Sequence, residues 1–221
     1  MKRIRIWDLP TRLFHWSLVC CVLGLVITAN IAGNAMIWHF RLGYFVVTLV
    51  LFRLVWGFIG GYWSRFSSFL PSPSSLFKYL SDKGDSAPST GHNPLGALSV
   101  MALLFFLLAQ VTTGLMSDDE IAATGPLVNK IPSEWVSLAT FIHTEVTKLV
   151  LIFLVVLHVA AILWHHFKKG ENLVAPMVSG DKLCADSGIR PSRDTWLSRL
   201  LAISVLLLCG TAVNLLLRWA N

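Results

Sequence analysis

Apolar residues gather in five long runs along this chain, at about 13–31, 37–59, 95–116, 141–167 and 197–217. Crossing about 30 Å of hydrocarbon as a helix takes about 20 residues, so each run predicts a membrane-spanning helix. Polar residues fall between the runs. The longest such stretch, SSFLPSPSSLFKYLSDKGDSAPSTGHNP, is rich in Ser and Pro and reads as a loop with one interfacial turn around Phe77. Lys2, Arg3, Arg5, Asp8, Pro10 and Arg12 precede the first run, which is of membrane length and lacks a clean small-residue cleavage site. It reads as a retained first helix rather than a secretion signal.

Composition agrees with this pattern. Of 221 residues 55% are hydrophobic and only 14% charged, where a soluble domain carries roughly a quarter. A net charge of +6 would on its own suggest nucleic acid, but its placement removes that reading. The segments before span one, between two and three, and between four and five hold twelve Lys and Arg. The opposite side holds Lys130 and Arg218 together with Asp118, Asp119, Glu120 and Glu134. The positive-inside rule puts the amino terminus in the cytoplasm and the carboxyl terminus outside. Trp7, Trp38, Trp63, Trp135, Trp164, Trp196 and Trp219 fall near span ends, as an aromatic belt requires. The four cysteines (Cys20, Cys21, Cys184, Cys209) form no C-x-x-C or C-x-x-C-H motif. That excludes covalent c-type haem attachment and speaks against iron–sulfur and structural zinc sites.

Four histidines lie within or at the edges of spans: His15, His39, His143 and His158. An ionisable side chain in a bilayer is costly and marks function by default. Depth sorts them. His15 opens span one near the cytoplasm and His39 opens span two near the outside. Span four runs inward, so His143 is external and His158 lies deeper. Two levels follow, His15 with His158 and His39 with His143, and paired imidazoles are what a six-coordinate b-type haem needs. His143 and His158 are fifteen residues apart, about 22 Å along the axis and about 60° around it, so one broad face carries both. A histidine-lined cation path would need polar residues between these positions, and spans one, two and four are aliphatic and aromatic there.

Other residues carry two readings each. Gly43 follows His39 by four, which suits either a porphyrin against the backbone or close helix packing. Arg53 should face the interior near the inner level, where a haem propionate is a natural bidentate partner; the alternative is snorkelling to the cytoplasmic surface. Arg41 serves the outer propionates or snorkels. Glu145 and Lys148 are spaced for an i,i+3 ion pair. His165 and His166 read as interfacial. Arg12, His92 and Asn93 form a candidate quinone site on the cytoplasmic side, if the loop folds back onto spans one and three. The acidic residues of the outer side are a docking surface or simply obey topology. The outer loops suggest no substrate pocket.

In these segments the chain resembles the bacterial cytochrome b561 and nickel–iron hydrogenase cytochrome b subunit family. The matching stretches are WDLPTRLFHW, WHFRLGYFVVTLVLFRLVWGFIG, GHNPLGALSVMALL and HTEVTKLVLIFLVVLHVAAILWHHF, spread over most of residues 4 to 178. The resemblance implies an all-α integral membrane protein of the bacterial inner membrane, with a four-helix diheme bundle over 1–178. Residues 179–221 then supply a cytoplasmic linker and a fifth transmembrane helix. It implies two non-covalent haem b, held by His15/His158 and His39/His143, exchanging electrons with ubiquinone or menaquinone. The expected partner is an external redox protein, a hydrogenase or a c-type cytochrome, with membrane lipid around the bundle. The alternative is a self-contained superoxide:quinone oxidoreductase.

Overall fold

The first helix begins where the sequence supplies a cap. Asp8 accepts the N–H of Thr11 at 2.9 Å, and Pro10 sits in the first turn, where its missing N–H costs nothing. In the computed structural model, which describes residues 2–81, 91, 93–121, 123–184 and 188–220, this helix α1 runs Leu9–Ile31. Ala32 and Gly33, both with positive φ, reverse the chain into α2 (Met36–Ile59). Two short helices follow, α3 (Phe66–Phe69) and α4 (Pro73–Ser81), the latter carrying Phe77 on an exposed face. Next, α5 (Pro94–Gly114) is capped by Asn93, whose side chain accepts from the N–H of Gly96 at 2.6 Å. Helix α6 (Ser133–Phe141) passes through a π-helical turn (Ile142–Thr147) into α7 (Lys148–Lys169). Gly170, in the left-handed region at φ 63°, ends that run. Helix α8 (Val174–Ser179) and then α9 (Trp196–Ala220) complete the helices.

Five helices are long and apolar enough to cross a membrane, as the hydrophobic runs predict. The fourth differs in extent: it runs from Ser133 to Lys169, 37 residues, instead of starting at Phe141. At 1.5 Å per residue that is about 55 Å, so its first turns extend beyond the hydrocarbon.

Helix α2 is the most buried of the five and organises the bundle. One face packs on α1 and α5 through Cys21, Val46, Leu49, Val50, Ala97, Leu104 and Leu107. The other meets α9 through Phe52, Trp56, Ala202, Val205 and Cys209. Lipid is as apolar as these side chains, so packing and small residues rather than water exclusion bring the helices together. Helix α7 leans on α5. It turns Leu151, Leu154, His158, Ile162 and His165 inward at helical spacing and leaves its other faces exposed.

A polar cap closes the end of the bundle that carries the N-terminus. Strand β1 (Lys2–Arg5) pairs antiparallel with β2 (Asp181–Cys184), Lys2 opposite Cys184 and Arg5 opposite Asp181. Arg5 binds Asp181 and Asp194, each at 2.6 Å, and Asp194 also binds Arg199 at 3.0 Å. Ile4, Ile6, Trp7 and Cys184 form a small core beneath, so Trp7 is packed in the cap rather than set in the aromatic belt. The stretch expected to be a linker is thus folded onto the start of the chain. Asp8, fully buried, joins the cap to the bundle: besides Thr11 it accepts from Trp56 Nε1 (3.2 Å), the N–H of Gly61 (3.0 Å) and the Ser64 hydroxyl (2.8 Å).

Candidate functional site

Near the face opposite the cap, His39 on α2 and His143 in the π-turn meet with ring centroids 6.4 Å apart and planes 87° to each other. A metal-bound imidazole nitrogen lies about 2 Å from its metal and the ring centre about 1 Å further, so two imidazoles on one iron have centres about 6 Å apart. Each ring is held by a carbonyl from a neighbouring helix. His39 Nδ1 lies 3.2 Å from Leu25 O and 3.2 Å from the Thr28 hydroxyl. His143 Nδ1 donates to Gln110 O at 2.9 Å. A proton spent on a carbonyl at Nδ1 leaves Nε2 with its lone pair, the form a metal binds.

The surroundings of this pair leave room for a flat ring. A Cβ on Gly43 would meet nothing within 4 Å, so no helix packs there and helix packing does not account for this glycine. Gly114 does the reverse. A Cβ there would lie 2.7 Å from His143 Cε1, so α5 approaches the imidazole only because residue 114 has no side chain.

At the other level, His15 on α1 and His158 on α7 are both partly buried. His15 sits edge-on to Trp16, centroids 5.0 Å apart, and its Nδ1 is buried without a hydrogen-bond partner. Among the described residues no three His, Cys, Asp or Glu groups converge on one point. Two imidazoles by themselves suit a metal that brings its other ligands with it, as iron does in a porphyrin.

Arg53 is only 4% exposed, which removes the snorkelling reading. Its guanidinium lies 4.9 Å over the Phe66 ring, and Nη1 is buried without a partner. A buried, unmatched donor of this kind fits a carboxylate such as a propionate. Arg41 is exposed and stacks on Trp38 at 5.0 Å. Arg12 donates to Val178 O at 2.5 Å, under α1, while Asn93 caps α5. No contact between those two is found among the described residues, and His92 lies outside them. Glu145 and Lys148 form no ion pair among the described residues, because the π-turn changes the spacing that an α-helix would give them. His165 instead binds Glu171 at 3.1 Å, and Glu171 binds Lys182 at 2.8 Å.

Sequence reasoning passed over Gln110 and Thr147. Gln110 is a lone amide in the apolar run LLAQVTTG, which was the available signal. It also passed over a cleft of about 510 Å³ on the face opposite the cap. Asp118, Glu120, Thr140, Thr144 and Glu145 are among the residues lining this open depression.

A perpendicular pair of imidazoles inside a bundle of spanning helices is the arrangement with which a membrane cytochrome of the b type holds haem. The chain belongs to the prokaryotic cytochrome b561 family, whose model matches residues 6–180. It is 23% identical over 219 residues to the probable Ni/Fe-hydrogenase B-type cytochrome subunit of Rhizobium leguminosarum bv. viciae, covering 84% of this chain and 91% of that protein. No solved structure matches it. The chain is a multi-pass membrane cytochrome b of electron transfer, and b-type haem goes with the family.

Proposed function

We propose that the protein is a diheme cytochrome that carries electrons across the bacterial inner membrane between the quinone pool and an external redox protein. A hydrogenase is the first candidate for that partner, from the relative's name. The observation that carries this reading is the His39–His143 pair, perpendicular at 6.4 Å with Nδ1 of each ring turned to a carbonyl. Bound haem supplies one-electron redox chemistry at each level. His39 and His143 present Nε2 to the outer site, and His15 and His158 serve the inner one. Arg53 offers its free Nη1 to an inner propionate, and the apolar walls of α2 and α5 keep water out. Gly43 leaves room for the outer ring, and Arg41 stands at the outer rim.

The two levels are set by the fifteen residues between His143 and His158, which cover most of the hydrocarbon thickness. With the basic cap in the cytoplasm, quinone binds on that side, with Arg12 and Asn93 as separate candidate contacts, and the partner docks outside. The outer cleft with Asp118, Glu120 and Glu145 favours a basic partner and an encounter that weakens as salt rises. The same acidic lining disfavours a superoxide anion as substrate.

Pyridine haemochrome analysis of the purified protein tests this directly. About two haems per chain, all released by acid–acetone, are expected; one per chain, or haem that stays on the polypeptide, overturns it. His143→Ala and His39→Ala should share one spectral phenotype, and His158→Ala and His15→Ala another. If His15→Ala resembles His143→Ala, the pairing is wrong.

A further inference from the structure

We propose that Gln110 and Thr147 are positioning residues for His143: a clip between α5 and the π-turn that sets the orientation and donor strength of this one imidazole. The inference rests on the reading of His143 as a haem ligand.

The π-turn Ile142–Thr147 is the only π-helical segment among the described residues, and His143 lies inside it. A π-turn holds one residue more than an α-turn, so it re-aims the side chains at its N-terminal edge and leaves its carbonyls poorly matched to the usual N–H groups. Such a turn persists only where neighbouring groups stabilise it. Here Thr147, 3% exposed, supplies the local contact. Its hydroxyl lies 3.0 Å from Ile142 O, five residues back, and also meets Gln110 Oε1 on α5.

Gln110 in turn engages the histidine at two points. Its backbone carbonyl accepts from His143 Nδ1 at 2.9 Å. Its side-chain amide lies 3.2 Å from His143 O. The backbone bond fixes which nitrogen carries the proton, and the side chain fixes the π-turn against α5, so that the 2.9 Å bond is held. A carbonyl on Nδ1–H makes the imidazole a stronger donor to iron and stabilises the oxidised state. His15 on the inner level has no such acceptor, since its buried Nδ1 is unpartnered. An amide and a hydroxyl deep in an apolar bundle are costly to place there; the amide can donate to His143 O, and the single hydroxyl proton goes to either Gln110 Oε1 or Ile142 O.

The test uses the full-length haem-loaded protein and three variants, Thr147→Val, Thr147→Ser and Gln110→Leu. It reads low-temperature EPR and equilibrium redox titration, with the inner haem as internal control. Thr147→Val and Gln110→Leu should each shift the low-spin g value of one haem signal and raise the potential of that haem. Thr147→Ser should restore both. The affected signal should be the one that His39→Ala removes. Loss of the outer haem alone, restored in Thr147→Ser, supports the same role. Unchanged outer signals, equal shifts in both haems, or loss of both haems overturn it, since the residues then contribute nothing specific or only general packing. A wild-type protein lacking two haem signals would instead overturn the proposed function.

Discussion

Gly43 lies one turn from His39 on α2 and Gly114 abuts His143 from α5, and the structure separates what each is for. At Gly114 an added methyl meets His143 itself, 2.7 Å from Cε1. Gly114→Ala should therefore displace the ring and give the spectral phenotype of His143→Ala in milder form. At Gly43 an added Cβ meets no protein atom within 4 Å. Gly43→Leu should leave haem-depleted protein within about 0.5 kcal/mol of wild type, yet lower its haem content toward one per chain. Detergent melting curves beside haemochrome assays check both, and an equal loss of apoprotein stability in Gly43→Leu would refute the assignment. Asp8 gives a different residue-scale prediction. Four donors converge on its buried carboxylate, and each buried donor left unsatisfied costs about 1–3 kcal/mol. Asp8→Ala should destabilise the protein by at least about 3 kcal/mol by the same reckoning. A loss under about 1 kcal/mol would show that water replaces the carboxylate.

Among the elements, those set by local physics were legible in the sequence. Spans one, two, three and five lie within a few residues of their apolar runs, because length and hydropathy fix them. The two levels of histidines follow from helix rise and direction alone, and the structure sets His39 beside His143 at the outer one. Elements that depend on distant partners were not legible. The π-turn is stabilised by Gln110 from another helix, and nothing in IHTEVT announces it. Strand β1 is four residues, KRIR, whose partner lies far along the chain. The tie from β1 to α9 carries a pH dependence. Burial opposes ionisation of Asp194, but hydrogen bonds from Arg199 and the N–H of Leu9, with the charges of Arg199 and Arg5, outweigh it and hold the carboxyl below its ordinary range. A depressed carboxylate pKa contributes stability that is complete above the unfolded value of about 4 and is lost as pH falls through the folded value. The melting temperature in detergent should fall below about pH 4, and Asp194→Asn should flatten that acid limb. An unchanged limb in the variant would assign the acid sensitivity elsewhere.

For the molecule as a whole, the distribution of charge gives an orientation to test. Cysteine placed at Lys2 or at Ile121, which is 91% exposed on the opposite face, serves as a reporter in an otherwise cysteine-free chain. With the basic cap in the cytoplasm, an impermeant maleimide should label Ile121→Cys in whole cells and leave Lys2→Cys untouched until lysis. The reverse pattern would invert the assignment.

The cap also has a history that its finished form conceals. Arg5 and its partner Asp181 are 176 positions apart, so at synthesis rates of about 5–20 residues per second the strand waits roughly 9–35 s for its mate. Throughout that wait the first strand presents an open edge, and Asp8 lacks its partners at and beyond the end of α2 until Trp56, Gly61 and Ser64 have emerged. Four helices must enter the bilayer before β2 is made. Closure of the two-stranded sheet is therefore a late event in the birth of the protein, and a ribosome halted before Asp181 would release a chain whose first four spans are inserted but whose capped end is still unlatched.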